Sequence, residues 1–307
     1  MDHLTYAEVQ AARERIAGRV RPVVVAPGDE RGRVWLALEY LQHTGSFKAR
    51  GAQNFLLAHA GAGTLPEAGV TIASGGNAGL ACAWAAGGLG VRATVFLPDT
   101  APAVKVARLR SYGADVRLAG REYAEALAAC EEFAAASGAL ASHAYDHPLI
   151  AAGAGTVLEE IRDRLPGLDT VVLSVGGGGL FAGVAAAARE HGVRVVAVEP
   201  DGSKALHAAV AAGAPVDVAV ASVAADSLGA RRATALAVHA ARQEGVHTVL
   251  VPDDAIVRAR QALWDERRIA VEHAAATSLA ALEQVDGERI AVLLCGANTD
   301  PSDLVAR

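Results

Sequence analysis

No block of like charge, no paired cysteines and no long apolar run stands out in this 307-residue chain. Its 28 Lys and Arg residues are outnumbered by 34 Asp and Glu residues, for a net charge of −6, and no basic cluster interrupts the pattern. That argues against nucleic acid or an anionic membrane surface as the main partner. The three cysteines, Cys82, Cys130 and Cys295, are widely spaced and form no C-x-x-C pair. A zinc ribbon and a disulfide framework therefore lack support, and reduced thiols in a cytoplasmic protein are the simplest reading. The N-terminal segment carries acidic and polar residues with no apolar signal-peptide core. No stretch of about 18 strongly apolar residues occurs, so no transmembrane helix is expected. Internal repeats and low-complexity linkers are missing as well.

What is present is apolar material in short units. Hydrophobic residues make up 52% of the chain, enough for a sizeable core. Ala-, Leu- and Val-rich runs alternate with glycine-containing turns. Thr5-x-x-Glu8 reads as a capping box opening a helix. Strands are expected at Arg33–Tyr40, Val70–Ser74, Arg92–Pro98, Asp115–Leu118, Thr170–Val175, Arg194–Val198, His247–Val251 and Arg289–Leu294. Helices are expected between them, with an irregular stretch at 214–227 and a helix over roughly 230–244. This alternation predicts an α/β fold with parallel sheets and right-handed crossovers.

Four segments carry chemistry. Gly176, Gly177, Gly178 and Gly179 follow an apolar strand and open a helix at Leu180. Bare glycine amides at a helix N-terminus make a phosphate cradle; the alternative is a tight turn. The spacing matches neither the dinucleotide fingerprint nor the P-loop. Lys48 lies in Thr44-Gly45-Ser46-Phe47-Lys48-Ala49-Arg50-Gly51. A partly desolvated lysine loses its proton readily and can form a Schiff base; otherwise it is a surface lysine at a helix start. Ser74-Gly75-Gly76-Asn77-Ala78-Gly79 forms another strand–turn–helix junction. Its amides and the Ser74 hydroxyl suit a carboxylate and the Asn77 amide a phenolic oxygen; the alternative is a helix cap. Cys295-Gly296-Ala297-Asn298 ends the last apolar strand, where α/β folds bind ligands, although a buried structural thiol is the usual fate of cysteine.

These segments, in this order, resemble the fold-type II pyridoxal-phosphate enzymes, most closely the serine/threonine dehydratases. The likeness covers roughly residues 5 to 300. It implies a two-lobed fold, with residues 1–68 and 147–307 forming a large lobe and 69–146 a small inserted one. It implies that Lys48 holds pyridoxal 5'-phosphate as a Schiff base, with Phe47 beside the ring and Asn77 on the ring hydroxyl. Gly176 to Leu180 would hold the phosphate, and Cys295 would face the ring nitrogen. Ser74, Gly75, Gly76, Asn77 and Ala78 would line the substrate carboxylate site. The implied activity is β-elimination of L-serine or L-threonine to a 2-oxo acid and ammonia. A homodimer is the family default.

Departures qualify this. Serine racemases carry a second serine where this chain has Gly75, which removes the opposite-face proton donor and favours elimination. Racemisation, or elimination from a substrate such as 3-hydroxyaspartate, is the alternative; a non-catalytic ligand sensor on the same fold is a more distant one. The lysine segment lacks the pattern of the cysteine synthases. Glu199 matches a glutamate that helps hold a cation in relatives, but Ala205 stands where the racemases place an Asp. A K⁺ ion held by Glu199 with carbonyls near Ser203, Leu228 and Ala230 is the expectation, against a helix cap or surface carboxylate. Glu272 matches a family glutamate with no assigned role. His143 reads as a structural histidine and Asp226 as a residue of a substrate-side loop. No room is seen for the C-terminal regulatory domain of the biosynthetic threonine dehydratases.

Overall fold

The computed structural model describes residues 3–305. Ten strands form two sheets. They are β1 (Val25–Pro27), β2 (Val34–Ala37), β3 (Val70–Ala73), β4 (Ala93–Leu97), β5 (Asp115–Leu118), β6 (Leu140–Ala141), β7 (Thr170–Ser174), β8 (Arg194–Pro200), β9 (Val246–Val251) and β10 (Ile290–Leu293). The larger sheet runs β1-β2-β10-β7-β8-β9 and the smaller β5-β4-β3-β6. Every pairing is parallel except β1 with β2. The chain is thus a mixed α/β protein with two mostly parallel sheets flanked by helices.

The apolar content goes where parallel sheets need it. Strands β7 and β10 are buried along their whole length, as expected of strands covered by helices on both faces. The helix Pro148–Arg164 packs on the helix Gly179–Glu190 and buries nearly every residue from Ile150 to Ile161. The Thr5 capping box forms: Thr5 Oγ1 accepts the Glu8 N–H at 3.3 Å, and the Glu8 carboxylate accepts the Thr5 N–H at 2.8 Å.

Three local expectations shift. Strand β2 stops at Ala37, because Glu39 turns inward to meet Arg50 and the chain tightens into a 3₁₀ turn at Glu39–Leu41. The helix expected over 230–244 spans only Ala235–Ala241, opened by Thr234, whose side chain accepts the Ala237 N–H. Within the irregular stretch a short helix forms at Ala225–Leu228. Strands β1 and β6, three and two residues long, carry too little periodicity to be read in advance. Among the described residues no helix is long and apolar enough to cross a membrane.

Candidate active site

The strand order explains why distant motifs meet. Strands β2, β10 and β7 are neighbours. Their carboxyl ends lead to Lys48, to Cys295 and to the glycine run. The end of β3 delivers Ser74 to Asn77. All four segments therefore lie at carboxyl ends of parallel strands, where open α/β sheets bind ligands.

Lys48 opens the helix Lys48–Gly61. Its Nζ donates to the Ala144 carbonyl at 2.7 Å. It stands 4.8 Å from the Phe47 ring centroid and 6.0 Å from that of Tyr145. Burial holds this amine down at about 8, against an ordinary 10.5; Cys295 and Glu272 pull the other way. A cation in this pocket is desolvated, so about a tenth of the amine is neutral and nucleophilic at pH 7, far more than for an ordinary lysine. The preceding turn is strained: Thr44, a β-branched residue, sits at φ 64°. Thr44 Oγ1 and Ser46 Oγ are buried without a hydrogen-bond partner among the described residues.

The glycine run turns at Gly178, whose φ of 96° favours glycine. A Cβ on Gly177 or Gly179 would strike Tyr145, and one on Gly178 would strike Ala237. The Gly177 carbonyl accepts the Thr234 N–H at 3.0 Å. Among the described residues the N–H groups of Gly177, Gly178 and Gly179 find no acceptor. They cluster at the N-terminus of the helix Gly179–Glu190, where the backbone dipole favours an anion. Leu180 is buried just inside that helix.

Ser74, Gly75, Gly76 and Asn77 are half-buried on the opposite side. Ser74 Oγ accepts the Gly76 N–H at 3.4 Å. A Cβ on Gly75 would strike the Leu97 side chain, so Leu97 already fills the space a larger residue would need. Ala78 is buried and lines a small cavity with Lys48, Cys82, Ser142 and Ala144. The Asn77 amide is held from two directions. Its Nδ2 donates to both Glu272 oxygens, at 2.9 and 3.1 Å, and its Oδ1 accepts Asn298 Nδ2 at 2.6 Å.

Cys295 is buried, with Sγ 3.7 Å from Ser174 Oγ. Burial first, then the nearby Glu272 carboxylate, pushes its thiol up to about 12, so it stays neutral through the physiological range. Its carbonyl accepts the Phe47 N–H at 3.0 Å, and Ser46 pairs with Gly296 in an antiparallel bridge. These bonds tie the lysine segment to the end of β10.

The donor set suits a phosphorylated aromatic aldehyde. It offers a neutralisable amine, a cradle of unpaired amides, unpaired buried hydroxyls beside the amine, an oriented side-chain amide and an uncharged thiol.

Glu199 lies at the end of β8 and is 1% exposed. Its two oxygens accept the Leu206 and His207 N–H groups at 2.7 and 2.8 Å. Burial raises this carboxyl to about 7, although those bonds oppose the shift. Ser203 Oγ donates to the Leu228 carbonyl at 2.6 Å, and Ala230 follows in the same loop. Glu199 therefore caps the helix Ala205–Ala212. Among the described residues no three His, Cys, Asp or Glu side chains gather as a metal site.

His143 Nδ1 accepts the Tyr145 and Asp146 N–H groups at 3.2 and 2.8 Å, so it shapes the turn that presents Ala144. Asp226 pairs with Lys105 of the smaller-sheet region at 2.8 Å, both side chains well exposed. Asn298 received no role from the sequence, nor did the Ala144 carbonyl or the Tyr145 ring. An asparagine shortly after a strand was the only signal for the first. The other two became visible only once the chain from β6 was seen to cross the site.

Residues 17–296 match the family described as "Pyridoxal-phosphate dependent enzyme". The chain is 35% identical over 310 residues to an L-threonine ammonia-lyase of Geobacter sulfurreducens, covering 97% of this chain and 76% of that protein. It is 36% identical over 284 residues to a serine dehydratase-like protein of Rattus norvegicus, covering 86% and 85%. The structure of maize serine racemase superposes with a TM-score of 0.91 at 28% identity, over 98% of this chain and 95% of that one.

Proposed function

We infer the activity from one premise: this chain belongs to the family of pyridoxal-phosphate dependent enzymes. It is a lyase that eliminates water and ammonia from L-serine or L-threonine, leaving a 2-oxo acid. The observation that carries this is the desolvated amine of Lys48 at a junction of strand ends that also bears the bare glycine amides. The likeness to an L-threonine ammonia-lyase over nearly the whole chain supports the same reading.

When bound, the cofactor supplies an electron sink for the substrate α-carbon. The chain's own groups do the rest. Lys48 holds the cofactor through Nζ. Gly176, Gly177, Gly178, Gly179 and Leu180 hold its phosphate at the helix N-terminus, and Asn77 and Phe47 orient its ring. Cys295, kept neutral by burial, would put no charge beside the bound ring. Ser74 and the Gly75, Gly76, Asn77 and Ala78 segment take the substrate carboxylate. Lys48 Nζ would remove the α-proton of the bound substrate, and the β-hydroxyl would depart with a proton as water. Water then re-enters at the α-carbon and ammonia leaves.

Racemisation is the competing reading, given the likeness to maize serine racemase. Gly75 offers no donor on the second face, and Leu97 crowds its position. The test is incubation of the holoenzyme with L-serine and L-threonine, assaying 2-oxo acid, ammonia and substrate chirality. Stoichiometric 2-oxo acid and ammonia are expected; D-serine accumulating without them would overturn the reading.

The proposal extends to two domains, residues 1–68 with 147–307 and residues 69–146, supported by the membership of the two sheets. A cytoplasmic location rests on the three free, buried cysteines, and a homodimer on the family resemblance. K⁺ beside Glu199 and the carbonyls near Ser203, Leu228 and Ala230 rests on that resemblance too; replacing K⁺ by choline in the assay tests it.

A further inference from the structure

Asn77, Glu272 and Asn298 form a closed ring of hydrogen bonds that joins the end of β3 to the end of β10. Asn298 Nδ2 donates to Asn77 Oδ1 at 2.6 Å. Asn77 Nδ2 donates to the Glu272 carboxylate at 2.9 and 3.1 Å. The Asn298 N–H returns to Glu272 Oε1 at 2.8 Å. Glu272 is 4% exposed and also accepts Ser227 Oγ at 2.8 Å.

This ring fixes the amide of Asn77. Flipping it would set Oδ1 against a carboxylate and Nδ2 against Nδ2, so only one orientation satisfies every donor and acceptor. One Asn77 N–H shared between the two Glu272 oxygens leaves the second free to donate to a bound ligand. The remaining hydrogen of Asn298 Nδ2 reaches the Thr44 carbonyl at 2.7 Å. Thr44 is the strained residue of the turn that carries Lys48. Gly45 lets this happen, since a Cβ there would strike Asn298 Oδ1. A strained backbone persists only where its surroundings over-determine it, and Asn298 supplies that hold.

We propose that Asn298 and Glu272 are positioning residues. They lock the Asn77 amide and the Lys48 turn into one unit, so that the smaller-sheet region assembles the site only when seated on the larger. The proposal rests on the lyase reading, but it concerns how this chain's residues are held and is testable without turnover.

The test is a double-mutant cycle read by the dissociation constant of pyridoxal phosphate for the apoprotein, with kcat and KM alongside. Asn298→Asp keeps the shape of the side chain and replaces its N–H donors with acceptors. It should weaken cofactor binding at least about 10-fold and lower kcat by roughly 10²-fold, KM changing less. In an Asn77→Ala background the same substitution should cost clearly less than in the native protein, the part that remains being the lost hold on the Thr44 turn. Apoprotein melting checks that each variant is folded. If Asn298→Asp does not fold, Glu272→Gln goes through the same cycle with the same expectation. Unchanged cofactor affinity in the single variants, or fully additive losses in the cycle, overturns the proposal. Cofactor affinity that behaves as expected in a protein without lyase activity would sink the lyase reading alone.

Discussion

The two sheets are built from the same strand–helix alternation, yet they are packed to different depths. Around the six-stranded sheet, β7, β8 and β10 are almost wholly buried, and the helix Pro148–Arg164 hides most of its residues. In the four-stranded region β5 is largely exposed. There the helix Ala103–Ser111 buries only Leu109, and the helix Tyr123–Ser137 only Ala126 and Cys130. Local opening costs least where few apolar contacts must be broken. The glycine run and Cys295 are carried by the deep side, and the helix that Lys48 opens packs against both regions. Ser74 to Asn77 sit at the well-packed inner edge of the four-stranded region, between the wholly buried β3 and the helix Asn77–Gly87, most of whose residues are buried. The shallow packing is thus confined to the outer strand β5 and the two outer helices, away from both halves of the site.

The comparison can be broken hardest on the deep side. Arg50, fully buried, pairs with Glu39 at 2.5 Å and Glu160 at 2.7 Å. Arg50→Met strands those carboxylates and should destabilise the protein by ~3–5 kcal/mol, as breaking a buried pair does. Urea unfolding measures it, and a loss under about 1 kcal/mol would mean the network is not structural. Next comes Gly178→Val. Positive φ alone should cost ~1–3 kcal/mol, and the Cβ would meet Ala237. Cofactor retention on gel filtration should fall sharply; unchanged retention would detach the glycine run from the phosphate.

A pH series sharpens the picture of Lys48. With its amine down at about 8, the neutral fraction grows about fivefold between pH 7 and 8 and then levels off. Cofactor capture by the apoprotein should follow that curve. A rate still climbing above pH 10 would show an ordinary lysine. The sign for stability agrees: the depressed amine penalises the folded apoprotein below about pH 8, and the penalty lifts as pH rises from about 8 to 10.5. The smallest effect is expected at the exposed Lys105–Asp226 pair between the two regions. Lys105→Ala should change global stability by only ~0.2–1 kcal/mol. It should speed hydrogen exchange in the helix Ala103–Ser111 and leave β7 and β10 untouched; equal acceleration on both sides would erase the distinction.

The deep side was also the more legible one. Continuous apolar strands followed by glycine or a cap announced β7, β8 and β10, and a ligand site at their ends follows from parallel topology. The partners of Asn77 were not legible. Glu272 and Asn298 lie 195 and 221 residues away in sequence, and only the fold brings them to its amide. The early end of β2 has a similar cause, since Glu39 is drawn inward by Arg50 rather than by any local propensity. Capping and periodicity act over a turn or two, whereas the site is finished by contacts across the whole chain.

The central claim is that Lys48 carries the cofactor and does the proton transfer. The chain has two other lysines, Lys105, half-buried, and Lys204, exposed. Borohydride reduction of the holoenzyme followed by peptide mapping discriminates among the three. The account predicts the label on Lys48 alone, with Lys48→Ala losing both the label and 2-oxo acid release. A label on Lys105 or Lys204, or full turnover by Lys48→Ala, would contradict it.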